Sequence, residues 1–88
     1  MGRYAVELKP SADRSLARLP ADVQRRIVLA LDALGDDARP AGVKKLAGDE
    51  NLWRIRVGAY RVVSEIHDRP PSVMVLRVAH RKDVYRDR

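Results

Sequence analysis

The chain opens on a short alternation: Tyr4, Val6 and Leu8 fall on one side, Ala5 and Glu7 on the other. A period of two over five residues predicts a half-buried strand. Pro10 stops it, and Ser11 offers an N-cap for a short helix that carries Leu16 and Leu19. Pro20 suits the first turn of a second helix, with Asp22 favourably placed near its positive end. Val23, Ile27, Ala30, Leu31 and Leu34 then recur at helical spacing, a single apolar stripe that Gly35 ends. Two helices so patterned form a hairpin whose apolar side covers one face of a sheet.

Residues 35–43 read as loop from their Gly, Pro and Asp content. From Leu46 onward the period changes to that of strands. Residues 52–57, 60–66 and 72–78 are rich in Val, Ile and aromatics. Gly58-Ala59 joins the first two, Gly first, as a type II′ hairpin turn prefers, and Asp68-Arg69-Pro70-Pro71 makes the next turn. The predicted order is β-α-α-β-β-β in one domain over residues 1–88, with a short tail from residue 79. This is an α+β fold, a helical hairpin packed on a small antiparallel sheet.

The hairpin turn also predicts a register. With Gly58-Ala59 as the turn, Val57 faces Tyr60, Arg56 faces Arg61, Ile55 faces Val62 and Arg54 faces Val63. Side chains alternate, so Arg54, Arg56 and Arg61 share one face, while Trp53, Ile55, Val57, Tyr60, Val62 and Ile66 share the other. The apolar face belongs under the helices. Like charges directly opposite across strands are destabilising, so the arginine face calls for a reason. It is either a solvated surface neutralised locally by Glu65 or a phosphate-binding surface. Arg places planar donors on phosphate oxygens and stabilises charge that develops in a pentacovalent transition state.

The tail, Ala79-His80-Arg81-Lys82-Asp83-Val84-Tyr85-Arg86, is a basic cluster with a phenol ring. Cations that hold a backbone and a ring that stacks on an exposed base suit RNA. Tyr85 could equally pack the terminus back on the sheet. His80 is the side chain there that changes protonation near neutral pH, or else a hydrogen-bonded strand-end residue.

Charge sharpens this picture. The formal net charge is +6, and 14 of the 18 basic residues are Arg. Residues 1–43 hold 7 basic and 6 acidic side chains, residues 44–88 hold 11 and 6, so the excess sits in the strand-rich half. A basic half beside a balanced one points to an anionic partner, nucleic acid or acidic protein. At 45% hydrophobic and 34% charged residues the composition is that of a folded domain rather than a disordered chain.

Other chemistries are missing from the sequence. The chain has no cysteine, which excludes disulfides and thiolate-bound zinc, and its two histidines form no HExxH. The five glycines make neither a Walker loop nor a dinucleotide loop, and there is no GxSxG elbow. No metal and no cofactor is expected. The N-terminus lacks the apolar stretch of a signal peptide, and no apolar run approaches the ~18 residues of a membrane span. A cytoplasmic protein with no membrane partner is the expectation.

The chain resembles the RelE/ParE superfamily of bacterial type II toxins over nearly its whole length. Four segments carry the resemblance: Leu16-Ala-Arg-Leu-Pro20, Gly42-Val-Lys-Lys-Leu46, Leu52-Trp-Arg-Ile-Arg-Val-Gly-Ala-Tyr-Arg-Val-Val63 and Val78-Ala-His-Arg-Lys-Asp-Val-Tyr85. The resemblance implies a microbial-RNase-like fold and a cognate antitoxin that wraps the basic sheet and the helical hairpin. In the RelE branch it implies ribosome-dependent cleavage of A-site mRNA beside 16S rRNA, with operator DNA reached through the antitoxin. The strand basics of that branch fall on Arg54 and Arg56, the hairpin arginine on Arg61, the post-strand arginine on Arg81 and the base-stacking tyrosine on Tyr85.

The implied reaction is attack of an RNA 2′-OH on the adjacent phosphate, giving a 2′,3′-cyclic phosphate and a free 5′-OH without a metal. Where some members have Lys, this chain has Arg54 and Arg56, and arginine is a poor proton acceptor. Either His80 moves the proton, or catalysis rests on positioning and electrostatics. Two other outcomes keep the same fold: a ParE-like inhibitor of DNA gyrase without nuclease activity, and a degenerate member that only binds its antitoxin.

Overall fold

The computed structural model describes residues 3–39, 43–46 and 51–83. It contains β1 (Ala5–Leu8), α1 (Pro10–Ala17), α2 (Ala21–Asp36), β2 (Lys44–Lys45), β3 (Leu52–Val57), β4 (Tyr60–Asp68) and β5 (Pro71–His80). The strands form one five-stranded sheet in the order β1-β5-β4-β3-β2. The α+β class and the helical hairpin are as expected, but the sheet is mixed rather than antiparallel. β2 to β5 run as an antiparallel meander, and β1 joins parallel to β5, Val6 beside Val73 and Leu8 beside Val75. The two helices carry the chain across one face between β1 and the meander, so the first strand closes the sheet beside the last.

Helix starts differ from the expectation, by two residues for α1 and by one for α2. Pro10 does not merely stop β1 but opens α1, where a missing N–H costs nothing, and Lys9 is the N-cap with no side-chain cap bond. Ser11 therefore lies inside the helix, and its carbonyl accepts from Ser15 Oγ at 3.0 Å. Pro20 is the N-cap of α2 rather than part of its first turn. Gln24 Nε2 donates to Leu19 O at 2.7 Å and ties the corner between the helices. α2 runs past Gly35 to Asp36. The Gly35 carbonyl accepts from the Arg3 and Tyr4 amides at 2.6 and 2.9 Å, and Gly35 is buried in that close approach.

The core lies between the helices and one sheet face. Ile27, Leu31 and Leu34 of α2, with Ala12 and Leu16 of α1, pack with Ile55, Val62, Ile66, Val73, Val75 and Val78. The buried valines of β5 change parity between Val75 and Val78. A register shift between Val63 and Ser64 accounts for this: Ser64 faces Val75 and Val63 faces Arg77, which leaves Leu76 as the extra residue of a bulge.

One polar network pins the segment between α2 and β2 to the sheet. Tyr4 Oη donates to Asp68 Oδ1 at 2.5 Å, and Arg39 Nη1 and Nη2 reach the same carboxylate at 3.0 and 3.4 Å. The Arg39 guanidinium lies 4.8 Å from the centre of the Trp53 ring, with Lys45 Nζ at 6.0 Å. The hydrogen bond from Arg39, followed by that from Tyr4, holds the Asp68 carboxyl below its ordinary range. A lowered folded pKa means that this contribution is present above the unfolded value of about 3.9 and is lost as pH falls through the folded one. An NMR titration of the Asp68 carboxyl is expected to show a depressed midpoint that Arg39→Ala moves back up. An unmoved midpoint would remove Arg39 as the cause.

Candidate phosphate-binding face

The hairpin register is the one the turn predicts. Val57 faces Tyr60, Ile55 faces Val62, Arg56 faces Arg61 and Arg54 faces Val63. Gly58 has φ +59°, the left-handed conformation that the first central position of a type II′ turn requires. A Cβ there would also stand 3.0 Å from Arg26 Nη2 of α2. Gly58→Ala is expected to cost about 1–2 kcal/mol in urea unfolding, chiefly from the backbone. A variant as stable as the parent would show that the turn relaxes.

Arg54, Arg56 and Arg61 thus share the face opposite the helices. Pairing across the sheet adds two cations that periodicity alone does not place there. Lys44 pairs with Arg54 and Arg77 pairs with Val63, so Lys44, Arg54, Val63 and Arg77 form one row across four strands. Arg56, Arg61 and Ala79 form the next row, about 6.8 Å further along the strands. Val63 is buried yet stands apart from the helix-facing core. It supplies an apolar floor that flanking arginine stems can cover.

Arg56 is exposed, Arg54 and Arg77 are half-buried, and Arg61 is 9% exposed. Arg61 Nη1 donates to the Gly58 and Tyr60 carbonyls at 3.0 and 2.9 Å, which holds its head group at the turn. Glu65 shares this face, opposite Leu52 and diagonal to Arg54. Its Oε1 lies 3.0 Å from His67 Nε2, two residues along the same strand. Such a face offers several planar donors and fixed positive charge to an anion with many oxygens.

The tail candidates divide. His80 pairs with Tyr60 on the helix side of the sheet, their rings edge to face at 5.4 Å, and His80 Nδ1 accepts from the Lys82 amide at 3.2 Å. That pairing puts it on the face opposite to Arg54, Arg56 and Arg61, with a ring nitrogen hydrogen-bonded at the strand end. Arg81 is exposed, and its amide donates to the Ala59 carbonyl at 2.8 Å, so the tail leaves the sheet at the hairpin turn beside Arg61. Tyr85 lies outside the described residues. Among the described residues, no three His, Cys, Asp or Glu gather as metal ligands, and no helix is long and apolar enough to cross a membrane.

The family described as the ParE toxin of the type II toxin–antitoxin system parDE matches residues 6–85 of the chain. Toxin RelG of Mycobacterium tuberculosis is 37% identical over 94% of this chain and 97% of its own length. Toxin RelE3 of Methanocaldococcus jannaschii is 30% identical over 82% of this chain and 84% of its own. Among solved structures, the archaeal RelE–RelB complex of Pyrococcus horikoshii superposes with a TM-score of 0.81 at 27% identity, covering 90% of this chain and 96% of that one.

Proposed function

Because the chain belongs to the RelE/ParE superfamily of type II toxin–antitoxin toxins, we propose that it is the RNase of such a pair, cleaving mRNA in the ribosomal A site. The observation that carries this reading is the cross-strand Arg56–Arg61 pair on the sheet face opposite the helices, joined by the basic row that includes Arg54. Opposed like charges destabilise a strand pair in water, and an anion with several oxygens removes that cost. Both curated relatives carry RelE-type names.

In the proposed reaction the 2′-OH of one nucleotide attacks the adjacent phosphorus and the bond to the next 5′-oxygen breaks. The products are a 2′,3′-cyclic phosphate and a 5′-OH. Arg61 and Arg81 stabilise the added negative charge, Arg54 and Arg56 hold the strand, and Tyr85 stacks on a base. With His80 turned to the helix side, the reading in which positioning and electrostatics dominate is the better supported one. The cell compartment is the cytoplasm. The partners are mRNA and 16S rRNA on the ribosome, operator DNA reached through the antitoxin, and a cognate antitoxin, a partner type seen with the Pyrococcus horikoshii relative.

Primer extension on a reporter mRNA in a translating extract tests this, with Arg81→Ala and Tyr85→Ala as controls. Codon-phased cuts absent from both controls and from ribosome-free RNA are expected. The ParE-type name of the matching family favours a second reading, inhibition of DNA gyrase. Intact mRNA together with inhibited supercoiling would establish that one, and a protein harmless when expressed would be a degenerate antitoxin-binding member.

A further inference from the structure

The bulge in β5 has a directional effect. Val73 and Val75 are buried on the helix side, and unbroken alternation would send residue 77 there too. The extra residue at Leu76 reverses the parity, so that Val78 takes the core position and Arg77 emerges on the arginine face, opposite Val63. Bulges re-aim side chains in this way beside functional sites. Arg77 then does more than add charge: its Nη2 donates to the backbone carbonyl of Asp83 at 3.0 Å.

Three hydrogen bonds among the described residues hold the segment that follows β5. The Arg81 amide bonds to the Ala59 carbonyl at 2.8 Å, the Asp83 amide bonds to the His80 carbonyl at 2.8 Å, and Arg77 takes the Asp83 carbonyl. The first two are backbone bonds that many sequences could make. The third depends on one side chain, and it fixes the end of the turn to the arginine face rather than to the helix side.

We propose that Arg77 is a positioning residue, a clamp aimed by the β5 bulge that docks the Arg81–Asp83 turn against the arginine face and so sets the reach of Arg81. Its catalytic part rests on the RNase reading above; its structural part does not. A guanidinium–carbonyl hydrogen bond at a partly exposed site is strong enough to order one turn but too weak to decide global folding.

The test uses the free full-length protein and Arg77→Ala and Arg77→Lys variants. In Arg77→Ala, amide exchange at Arg81 and Asp83 and tryptic cutting after Arg81 and Lys82 are expected to rise roughly tenfold. The urea midpoint is expected to stay near that of the parent. In the translating extract kcat falls roughly tenfold or more, with a smaller change in KM. Arg77→Lys, whose ammonium can reach the same carbonyl, restores most of both. A tail equally protected in Arg77→Ala overturns the clamp, and so does a loosened tail with undiminished cleavage. An inactive parent protein would count against the RNase reading alone, leaving exchange and proteolysis to decide the clamp.

Discussion

Arg61→Ala is expected to lower RNA cleavage about 10²–10³-fold while leaving the protein folded, the magnitude typical of removing one preorganised donor at a developing oxyanion. Arg61 is suited to that effect because it is the least exposed cation of the face, and its head group is held at the turn by the Gly58 and Tyr60 carbonyls. A guanidinium held before substrate arrives needs little reorganisation when charge develops. The same two carbonyls bound the structural cost. The Gly58 carbonyl belongs to an exposed turn residue and the Tyr60 carbonyl to the half-buried first residue of β4. Water replaces the lost donor at the first more readily than at the second, and a stability change of about 1 kcal/mol is expected. Arg61→Lys separates charge from geometry. It keeps a cation but loses the planar fork, and a partial recovery is expected. Single-turnover cleavage beside a urea melt reads both quantities. Full activity in Arg61→Ala, or a variant that does not fold, would remove Arg61 from the site.

The arginine face was legible in the sequence because a two-residue Gly-Ala turn fixes the register, and register fixes which side chains share a face. The parallel partner of β1 was not legible. The alternation of Tyr4, Val6 and Leu8 says that a face is buried, not which strand lies alongside. Lys44 was hidden because β2 is two residues long, too short to show a period. Arg77 was hidden by the bulge, although the sequence holds a trace of it: Val73, Val75 and Val78 break the period of two at Leu76-Arg77. His80 sits in the same cluster as Arg81, yet pairing with Tyr60 turns it to the other side of the sheet. Without the parity change upstream, the period of two alone could not say that His80 falls on the helix side of the sheet.

Ile27→Ala is expected to destabilise the fold by about 2–5 kcal/mol, the range for large-to-small changes in a packed core. Ile27 is 0% exposed and lies between α2 and the sheet, in a cluster with Ile55, Val62 and Val75. A chain of this size holds roughly 4–13 kcal/mol in all, and each kcal/mol moves Tm by about 4–8 °C. The melting point should therefore fall by about 8–40 °C, enough to leave much of the protein unfolded at growth temperature. Ile27→Val, which deletes one methyl(ene) group, should cost only about 0.5–1.5 kcal/mol. Leu29→Ala, two residues along the same helix but 68% exposed, should change stability by less than about 0.5 kcal/mol. The helix substitutions also bear on how the arginine variants are read. Ile27→Ala abolishes any activity by emptying the folded population, so its loss tracks Tm and recovers on cooling. Arg61→Ala lowers it about 10²–10³-fold in a protein that melts within a few degrees of the parent, so its loss persists at every temperature below the transition. Thermal melts paired with activity at two temperatures distinguish them, and a loss in Arg61→Ala that cooling restored would mean that the arginine face serves the fold and not the chemistry.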